Sequence, residues 1–132
     1  MRAISTERGI KITMFRSELR ILIVASKKAL EMISLAAFHP RFGCEKDEYV
    51  QLFNPIENIY LDKEQKKSSP AEELDIYIPE DDLYILPQTL NAICNGLRIE
   101  RFEEVIGLSK EEVRAILSDL LEIQDTIRKI PT

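Results

Sequence analysis

"IKITMFRSELRIL", residues 10–22, has a counterpart 64 positions later in "LDIYIPEDDLYIL", residues 74–86. Both stretches open on alternating apolar and polar residues, which is typical of a strand with one buried face. Both then run into apolar residues at helical spacing. The pair therefore predicts two strands, each followed by a helix.

The similarity continues without a gap into "FHPRFGCEKDEYVQLFNPI" at 38–56 and "FEEVIGLSKEEVRAILSDL" at 102–120. Only 8 of the 47 positions from 10 to 56 are identical, but the apolar pattern of a second helix recurs as well. The aligned apolar residues are Tyr49, Leu52, Phe53 and Ile56 in the first stretch and Val113, Ile116, Leu117 and Leu120 in the second. We therefore predict an α+β, helix-rich fold in which a β-α-α unit is duplicated internally around a small sheet.

The predicted single domain divides into three parts. The first copy of the unit covers residues 10–56, and the second covers residues 74–130 with a longer C-terminal helix. Residues 57–73 between them are predicted to form a linker or mobile loop, because "DKEQKKSSPAEE" at 62–73 is polar and offers almost nothing to bury. Both copies are expected to share one core.

Capping and proline signals set the expected helix ends in the first copy. Ser17 is a plausible N-cap for a helix that reaches about Ile33. The second helix is expected to stop at Asn54-Pro55, because the residue before a proline avoids the helical region.

Two starts remain open for the first helix of the second copy. Asp81 holds the position of the first copy's cap, but Pro87 would then lie inside the helix and remove a backbone donor. The helix therefore kinks or begins near Pro87, and Gly96 suits its end. The last helix has a clearer start, with Ser109 as N-cap and Glu112 closing a capping box.

Charge is distributed unevenly along the chain. Residues 1–66 hold 11 Lys and Arg against 9 Asp and Glu, a net of +2, whereas residues 67–132 hold 7 against 14, a net of −7, which together give −5. An acidic surface repels nucleic acid and attracts basic proteins. No apolar run approaches the roughly 20 residues of a membrane-spanning helix, and charges interrupt the start of the chain where a signal peptide would be apolar. The sequence therefore predicts a cytosolic protein without a membrane partner.

The sequence gives only weak signals for a metal site or a catalytic site. Cys44, Cys94 and His39 cannot supply the four protein ligands of a structural zinc site, so the cysteines are predicted to be buried or half-buried thiols. The three acids at 80–82 lack further oxygen ligands for a hard cation, and the paired glutamates after residue 100 have no nucleophile or orienting histidine nearby. We therefore expect no metal, no cofactor and no enzymatic activity.

The segment "FEEVIGLSKEEVRAIL" at 102–117 has the residue order of a helix-turn-helix motif, with Gly107 at the turn. The helix after Gly107 exposes five acids against three basic residues, which is a poor surface to bring near phosphates. These acids are Glu111, Glu112, Asp119, Glu122 and Asp125. We therefore predict a helix-packing corner that recurs at Gly43, and no nucleic-acid partner.

One basic cluster keeps a second hypothesis open. Arg16, Arg20, Lys27 and Lys28 lie at spacings that bring them toward one side of the first helix. The alternative is therefore a small regulatory or adaptor protein, a homodimer joined through its strands, that binds nucleic acid through the basic helix 16–28.

The run "LPQTLNAICNGLRIERFEEVIGLSKEEVRAILSDL" at 86–120 resembles a pattern of small bacterial immunity proteins of contact-dependent growth inhibition and other polymorphic toxin systems. The matching features are Leu90-Asn91, Cys94-Asn95-Gly96, Phe102, the turn Ile106-Gly107-Leu108-Ser109 and the helix start Glu111-Glu112. The first copy departs from this pattern, with Glu31-Met32 in place of Asn95-Gly96. The resemblance implies a small, cytosolic, non-enzymatic and often acidic protein that plugs the active site of a toxin.

On this resemblance, the sequence predicts an immunity protein that binds a cognate toxin domain, such as a basic nuclease, through an acidic surface. Carboxylates would face the Lys and Arg side chains that a nuclease uses for phosphate, which favours fast and selective association. The pool expected to contain the contact surface is Glu80, Asp81, Asp82, Glu103, Glu104, Glu111, Glu112 and Glu122.

Overall fold

The computed structural model describes residues 1–67 and 69–128. Its elements are strands β1 (Arg2–Thr6) and β2 (Gly9–Phe15), helices α1 (Arg16–Met32), α2 (Leu35–Phe42) and α3 (Lys46–Gln65), strand β3 (Glu73–Ile78), a 3-10 turn (Glu80–Asp82), helix α4 (Ile85–Asn91) with a π-helical turn (Ala92–Gly96), and helices α5 (Phe102–Ile106) and α6 (Lys110–Arg128). Helices dominate, and a small antiparallel sheet accompanies them. The α+β, helix-rich prediction is confirmed.

The sheet has the order β1-β2-β3, and both pairs of neighbouring strands are antiparallel. Ile12 lies opposite Ala3 on one side and Ile76 on the other. One face of the sheet is buried under the helices, as the alternation along β2 and β3 predicts. Its buried side chains are Ile10, Ile12, Met14, Leu74, Ile76 and Ile78. Strand β1 belongs to neither predicted copy.

An aromatic cluster joins α2 to α3 beneath the sheet. Its rings are Phe38, Phe42, Tyr49 and Phe53, with neighbouring centroids 4.8 to 5.0 Å apart. The Tyr49 hydroxyl donates to Thr89 Oγ1 over 2.7 Å, because Thr89 itself donates to the Ile85 carbonyl. One buried hydrogen bond therefore ties α3 to α4.

Helix α1 ends close to the predicted residue but starts differently. It begins at Arg16, directly after β2, and Phe15 holds the N-cap position instead of Ser17. The Glu18 carboxylate accepts a hydrogen bond from the Phe15 backbone N–H at 2.9 Å. The first-turn N–H groups of Arg16 and Ser17 donate to the backbone carbonyls of Glu72 and Pro70 at 2.8 and 3.1 Å, so main-chain oxygens do the capping that the sequence assigned to a serine.

Helix α3 corrects the prediction for the middle of the chain. It continues through Pro55, so the predicted stop is wrong and the predicted linker 57–73 loses its first nine residues to the helix. Pro55 is exposed, and the hydrogen bond it removes costs roughly 3 kcal/mol on the solvent side. Ile56 is buried and Ile59 packs against the core, and burying such side chains contributes about 1.5–3 kcal/mol each. Apolar burial beyond the proline therefore keeps the helix intact.

The first helix of the second copy begins near Pro87, which is one of the two expected starts, and not at Asp81. Glu80–Asp82 form a 3-10 turn, and α4 starts at Ile85. Pro87 then falls in the first helical turn, where a backbone N–H has no partner within the helix, so its missing donor costs little. The π-helical turn that follows α4 ends at Gly96, as predicted.

The capping box at the start of α6 is confirmed. Ser109 Oγ accepts from the Glu112 backbone N–H at 3.2 Å, and the Glu112 carboxylate accepts from the Ser109 N–H at 3.4 Å. The buried residues on the predicted face are Val113, Ile116, Leu117, Leu120 and Ile127. The predicted end of the second copy at residue 130 lies outside the described residues.

The order of elements recurs at the offset of 64 residues. The series β2, α1, α2, α3 is followed by β3, α4, α5, α6, and the two strands meet at the pair Ile12 and Ile76, which are 64 positions apart. Gly43 and Gly107 each end a helix in the left-handed conformation, with φ of 70° and 98°. The antiparallel pairing of β2 and β3 is therefore centred on two residues that correspond at this offset.

Each half also donates a hydrogen bond to a helix end of the other half. The Tyr84 hydroxyl donates to the Phe42 carbonyl at 2.7 Å, and the Arg20 guanidinium donates to the Ile106 carbonyl at 3.4 Å. The two donors are 64 positions apart, and so are the two acceptors. Two copies of one unit are expected to make such matching contacts. The duplication itself stays a prediction.

Candidate functional site

The structure distributes the predicted pool of eight carboxylates over five places. Asp82 lines a groove beside α3, whereas Glu80 and Asp81 line one at the end of α6. Glu122 faces β1. The remaining members stand in the first turns of α5 and α6 and are Glu103, Glu104, Glu111 and Glu112. All are exposed except Asp82, which is half-buried.

Asp82 lies in the Glu48–Asp82 groove, which is formed by α3, the end of β3 and the start of α4 and encloses about 380 Å³. Its lining residues are Cys44, Glu48, Gln51, Leu52, Pro55, Tyr77, Pro79, Asp82 and Ile85. The apolar side chains of Leu52 and Ile85 share this space with two carboxylates. Such a lining suits a side chain that has an aliphatic stem and a cationic end.

The carboxylates of this groove repel each other. Burial raises the pKa of Asp82 above its usual value, and the charges of Asp81 and Glu48 raise it further. Glu48 is held in place because its carboxylate accepts the Glu45 backbone N–H at 3.1 Å, in a capping box at the start of α3. A bound cation would relieve the repulsion.

The groove supplies charge and no activated nucleophile. Burial raises the pKa of the Cys44 thiol, and the charges of Glu48 and Asp82 raise it further. A thiol in this environment stays protonated at neutral pH and is a weak nucleophile. Burial also raises the pKa of Cys94. Both cysteines are buried and free, as predicted, and His39 is exposed on α2.

A second groove is related to the first by the offset of 64 residues. Its lining residues are Ser17, Glu18, Arg20, Ile21, Gly107, Leu108, Glu112 and Ile116. Glu18 and Glu112 take the places of Asp82 and Glu48. The difference is Arg20, a cation that lines this second groove. The second groove therefore combines its carboxylates with a basic side chain of the same chain.

The Glu48–Asp82 groove has no such cation. Tyr84 stands at the position that corresponds to Arg20, and its hydroxyl is bonded to the Phe42 carbonyl. No Lys or Arg is among the described residues that line the groove. No cationic side chain of the described residues therefore neutralises its two carboxylates within the groove.

The four cations of α1 make contacts within the chain. Arg16 lies over the ring of a tyrosine and Arg20 contacts a backbone carbonyl. Lys27 and Lys28 form ion pairs of 2.9 and 3.2 Å with glutamates. Surface pairs of this kind are weak, but they place a neutralising carboxylate beside each lysine. The predicted basic surface is thereby partly neutralised.

Two further features bear on the class of protein. Within residues 1–67 and 69–128, no group of three or more His, Cys, Asp or Glu side chains is arranged to hold a metal ion. No helix in the same part of the chain is long and apolar enough to cross a membrane. The features of the described surface that bear on binding are therefore its charged side chains and its grooves.

Comparison with known proteins gives no relative: no protein-family model matches the chain, and neither does any curated protein or solved structure. The resemblance of residues 86–120 to immunity proteins therefore stays a prediction drawn from the residues themselves. The function has to be argued from the geometry of the grooves.

Glu48 and Tyr77 belong to the groove and are absent from the predicted pool. Glu48 had a signal in the sequence, because it forms one of the identical pairs of the repeat with Glu112. Tyr77 had none, since its place in the groove depends on how β3 passes beside α3.

Proposed function

We propose that this chain is a non-enzymatic binding protein of the cytosol that neutralises a cognate toxin domain, as an immunity protein does. The observation that carries the proposal is the composition of the Glu48–Asp82 groove. Two carboxylates lie there beside apolar side chains, and none of the described lining residues is a Lys or Arg. The partner is a basic protein, and complementary charge selects it.

A lysine or arginine side chain of the partner suits this groove for two reasons. Its charge relieves the repulsion that raises the pKa of Asp82. Its aliphatic stem packs on Leu52, which is half-buried in the free chain, and keeps the apolar surface of that side chain out of water. Because both effects act in one place, the groove discriminates a cationic side chain from a neutral one.

A nuclease toxin fits this requirement. Such an enzyme exposes Lys and Arg around its active site, because phosphates must be held there. A protein that covers those cations keeps the substrate out and needs no catalytic group of its own. The net charge of −7 carried by residues 67–132 speeds association with such a surface.

Co-expression tests the proposal. The C-terminal portion of the protein encoded immediately upstream is expressed in a bacterial host with and without this chain, and growth and co-purification are recorded. We expect toxicity that is relieved as a tight complex forms. A harmless segment, or a toxic one with neither rescue nor complex, contradicts the proposal.

Charge reversal locates the contact within that complex. Asp82→Lys should weaken binding at least about tenfold and reduce its salt dependence, because a like charge then meets the partner's cation. Glu7→Lys is the matched control, since Glu7 is exposed in the turn between β1 and β2, and it should leave both quantities nearly unchanged. Equal effects of the two variants would show that the groove is not the contact. Unchanged affinity and salt dependence after reversal of all eight predicted acids would contradict the prediction that this pool contains the contact surface.

The adaptor hypothesis has less support, because both lysines of α1 are paired with glutamates. A gel shift at low salt separates the two functions. The adaptor retards RNA or DNA through residues 16–28, and a toxin antagonist does not. Retardation that disappears in Lys27→Glu would favour the adaptor.

A further inference from the structure

We infer that the free edge of β3 binds an extended, basic strand of the partner protein, which is added to the sheet as a fourth strand. The inference takes the basic character of the partner from the proposed function and adds the mode of binding. It starts from a difference between the two halves: β1 pairs along β2, and no described strand takes the corresponding place along β3.

The register between β1 and β2 shows which part of β3 would pair with an added strand. Strand β1 pairs with residues 9–13 of β2, and the residues 64 positions later are 73–77, which lie within β3. Among the described residues β3 pairs with β2 only. An edge strand presents alternate backbone N–H and C=O groups without a strand partner, and these groups are a template for another chain.

The helix that flanks the free edge of β3 is α3, which corresponds to the helix α6 that flanks β1. Strand β1 packs against α6, and Ala3 and Ile123 line the groove between them. Ile59 of α3 corresponds to Ile123 and is only partly buried. Tyr77 from the outer face of the sheet and Leu52 from α3 line one groove, so that groove runs beside the free edge of β3. An added strand could therefore pack its apolar side chains against Ile59 and Leu52 of α3.

Charge selects the occupant. Glu73 and Asp75 are exposed on the outer face of β3, where Glu73 forms an ion pair with Arg2 at 2.9 Å and Asp75 accepts a hydrogen bond from the Thr13 hydroxyl at 2.6 Å. The two carboxylates of the Glu48–Asp82 groove lie beside the same strand and have no Lys or Arg among the described lining residues. A second copy that pairs through this edge would bring the acids of both copies together, which is unfavourable across strands. A strand with Lys or Arg at alternate positions places one cation over Asp75 and another beside Glu73, whose carboxylate it would share with Arg2. Its intervening apolar residues face α3.

Residue-resolved amide hydrogen exchange on the full chain tests the inference. The probe is an acetylated and amidated peptide of alternating lysine and valine, seven residues long, at millimolar concentration. We expect alternate amides within 73–77 to exchange at least about tenfold more slowly with the peptide than without it. The protection should weaken as salt is raised.

Two controls make the result specific. A peptide of the same sequence with alternate N-methylated peptide bonds keeps the charge but cannot pair as a strand, so it should not protect β3. In Asp75→Lys, the lysine peptide should lose protection and a glutamate–valine peptide should gain it. Unchanged exchange in β3 with the lysine peptide overturns the inference. Protection that depends on the concentration of this chain alone, in the absence of peptide, also overturns it and favours a homodimer.

The two proposals can fail separately. Exchange is also measured in the complex with the toxin domain that the co-expression experiment yields. If that complex forms and the β3 amides exchange as in the free chain, the immunity function stands and strand addition is wrong. If the lysine peptide protects β3 and no toxin is rescued, strand addition stands and the immunity function is wrong.

Discussion

Asp82 is expected to have opposite effects on stability and on the proposed binding of a cationic partner. Its side chain is half-buried beside Glu48, and burial together with the neighbouring charges of Asp81 and Glu48 raises its pKa. The ionised form is therefore disfavoured in the folded chain, although it is the form that a cationic partner requires. A residue that lowers stability and has no hydrogen-bond or ion-pair partner among the described side chains is typical of a binding site.

Asp82→Asn should stabilise the free chain at neutral pH. Because the pKa of Asp82 is higher in the folded than in the unfolded chain, the stability this group contributes is fully present below the unfolded pKa and is lost as the pH rises through the folded pKa. Asparagine removes the titration, so the advantage of the variant should shrink as the pH falls through the folded pKa. Urea unfolding across an acidic to neutral pH series measures this difference. A gain that is independent of pH would contradict the electrostatic account.

Sequence reasoning reached Asp82 and missed its neighbour Glu48. Asp82 belongs to a run of three acids that is visible in the sequence, whereas Glu48 is an ordinary capping glutamate by its spacing. Their approach depends on how α3 packs beside the start of α4, which is a tertiary contact. Residue types and spacings within one element could not reveal it.

Helix α3 and strand β1 show what local patterns can and cannot predict at the scale of elements. The capping box of α6 and the alternation in β2 and β3 are local signals, and the structure confirms them. The stop expected at Pro55 failed because buried residues on the core side outweigh one lost hydrogen bond. Strand β1 has no fully buried side chain, so its apolar alternation is weak and its pairing with β2 defines it.

Replacing Pro55 and Pro87 separately compares the effect of a proline on stability in a helix interior with its effect in a first helical turn. Pro55→Ala restores a backbone donor in the middle of α3, and we expect a gain of about 1–2 kcal/mol after the entropy released in the unfolded chain is subtracted. Pro87→Ala acts in the first turn of α4, where the donor has no helical partner, and we expect no gain or a small loss. Urea unfolding of both variants measures the difference. Equal effects would mean that Pro55 does not strain α3.

The two halves of the chain share one core at the scale of the whole molecule. The central strand pair consists of β2 from one half and β3 from the other, and the Tyr49 hydroxyl is bonded to Thr89 across the halves. Helices α1 and α4 pack against each other as well. The two predicted copies thus do not have separate hydrophobic cores.

Fragments cut within the polar connection should therefore fold only together. We expect residues 1–67 and residues 68–132, produced separately, to show no cooperative urea unfolding, because each would expose the apolar face of its own central strand. An equimolar mixture should recover a cooperative transition by circular dichroism, with a midpoint that rises with concentration.

Ile12→Lys in the first fragment is the control, since Ile12 is fully buried opposite Ile76 at the centre of the sheet, and a buried lysine there should prevent assembly. Cooperative unfolding of either fragment alone would instead make the 64-residue unit a domain in its own right. In that case the contacts between α1 and α4 would be an interface between domains. Assembly only from both fragments would mean that the free edge of β3 and the Glu48–Asp82 groove exist only in the complete fold, because α3 comes from one half and β3 from the other.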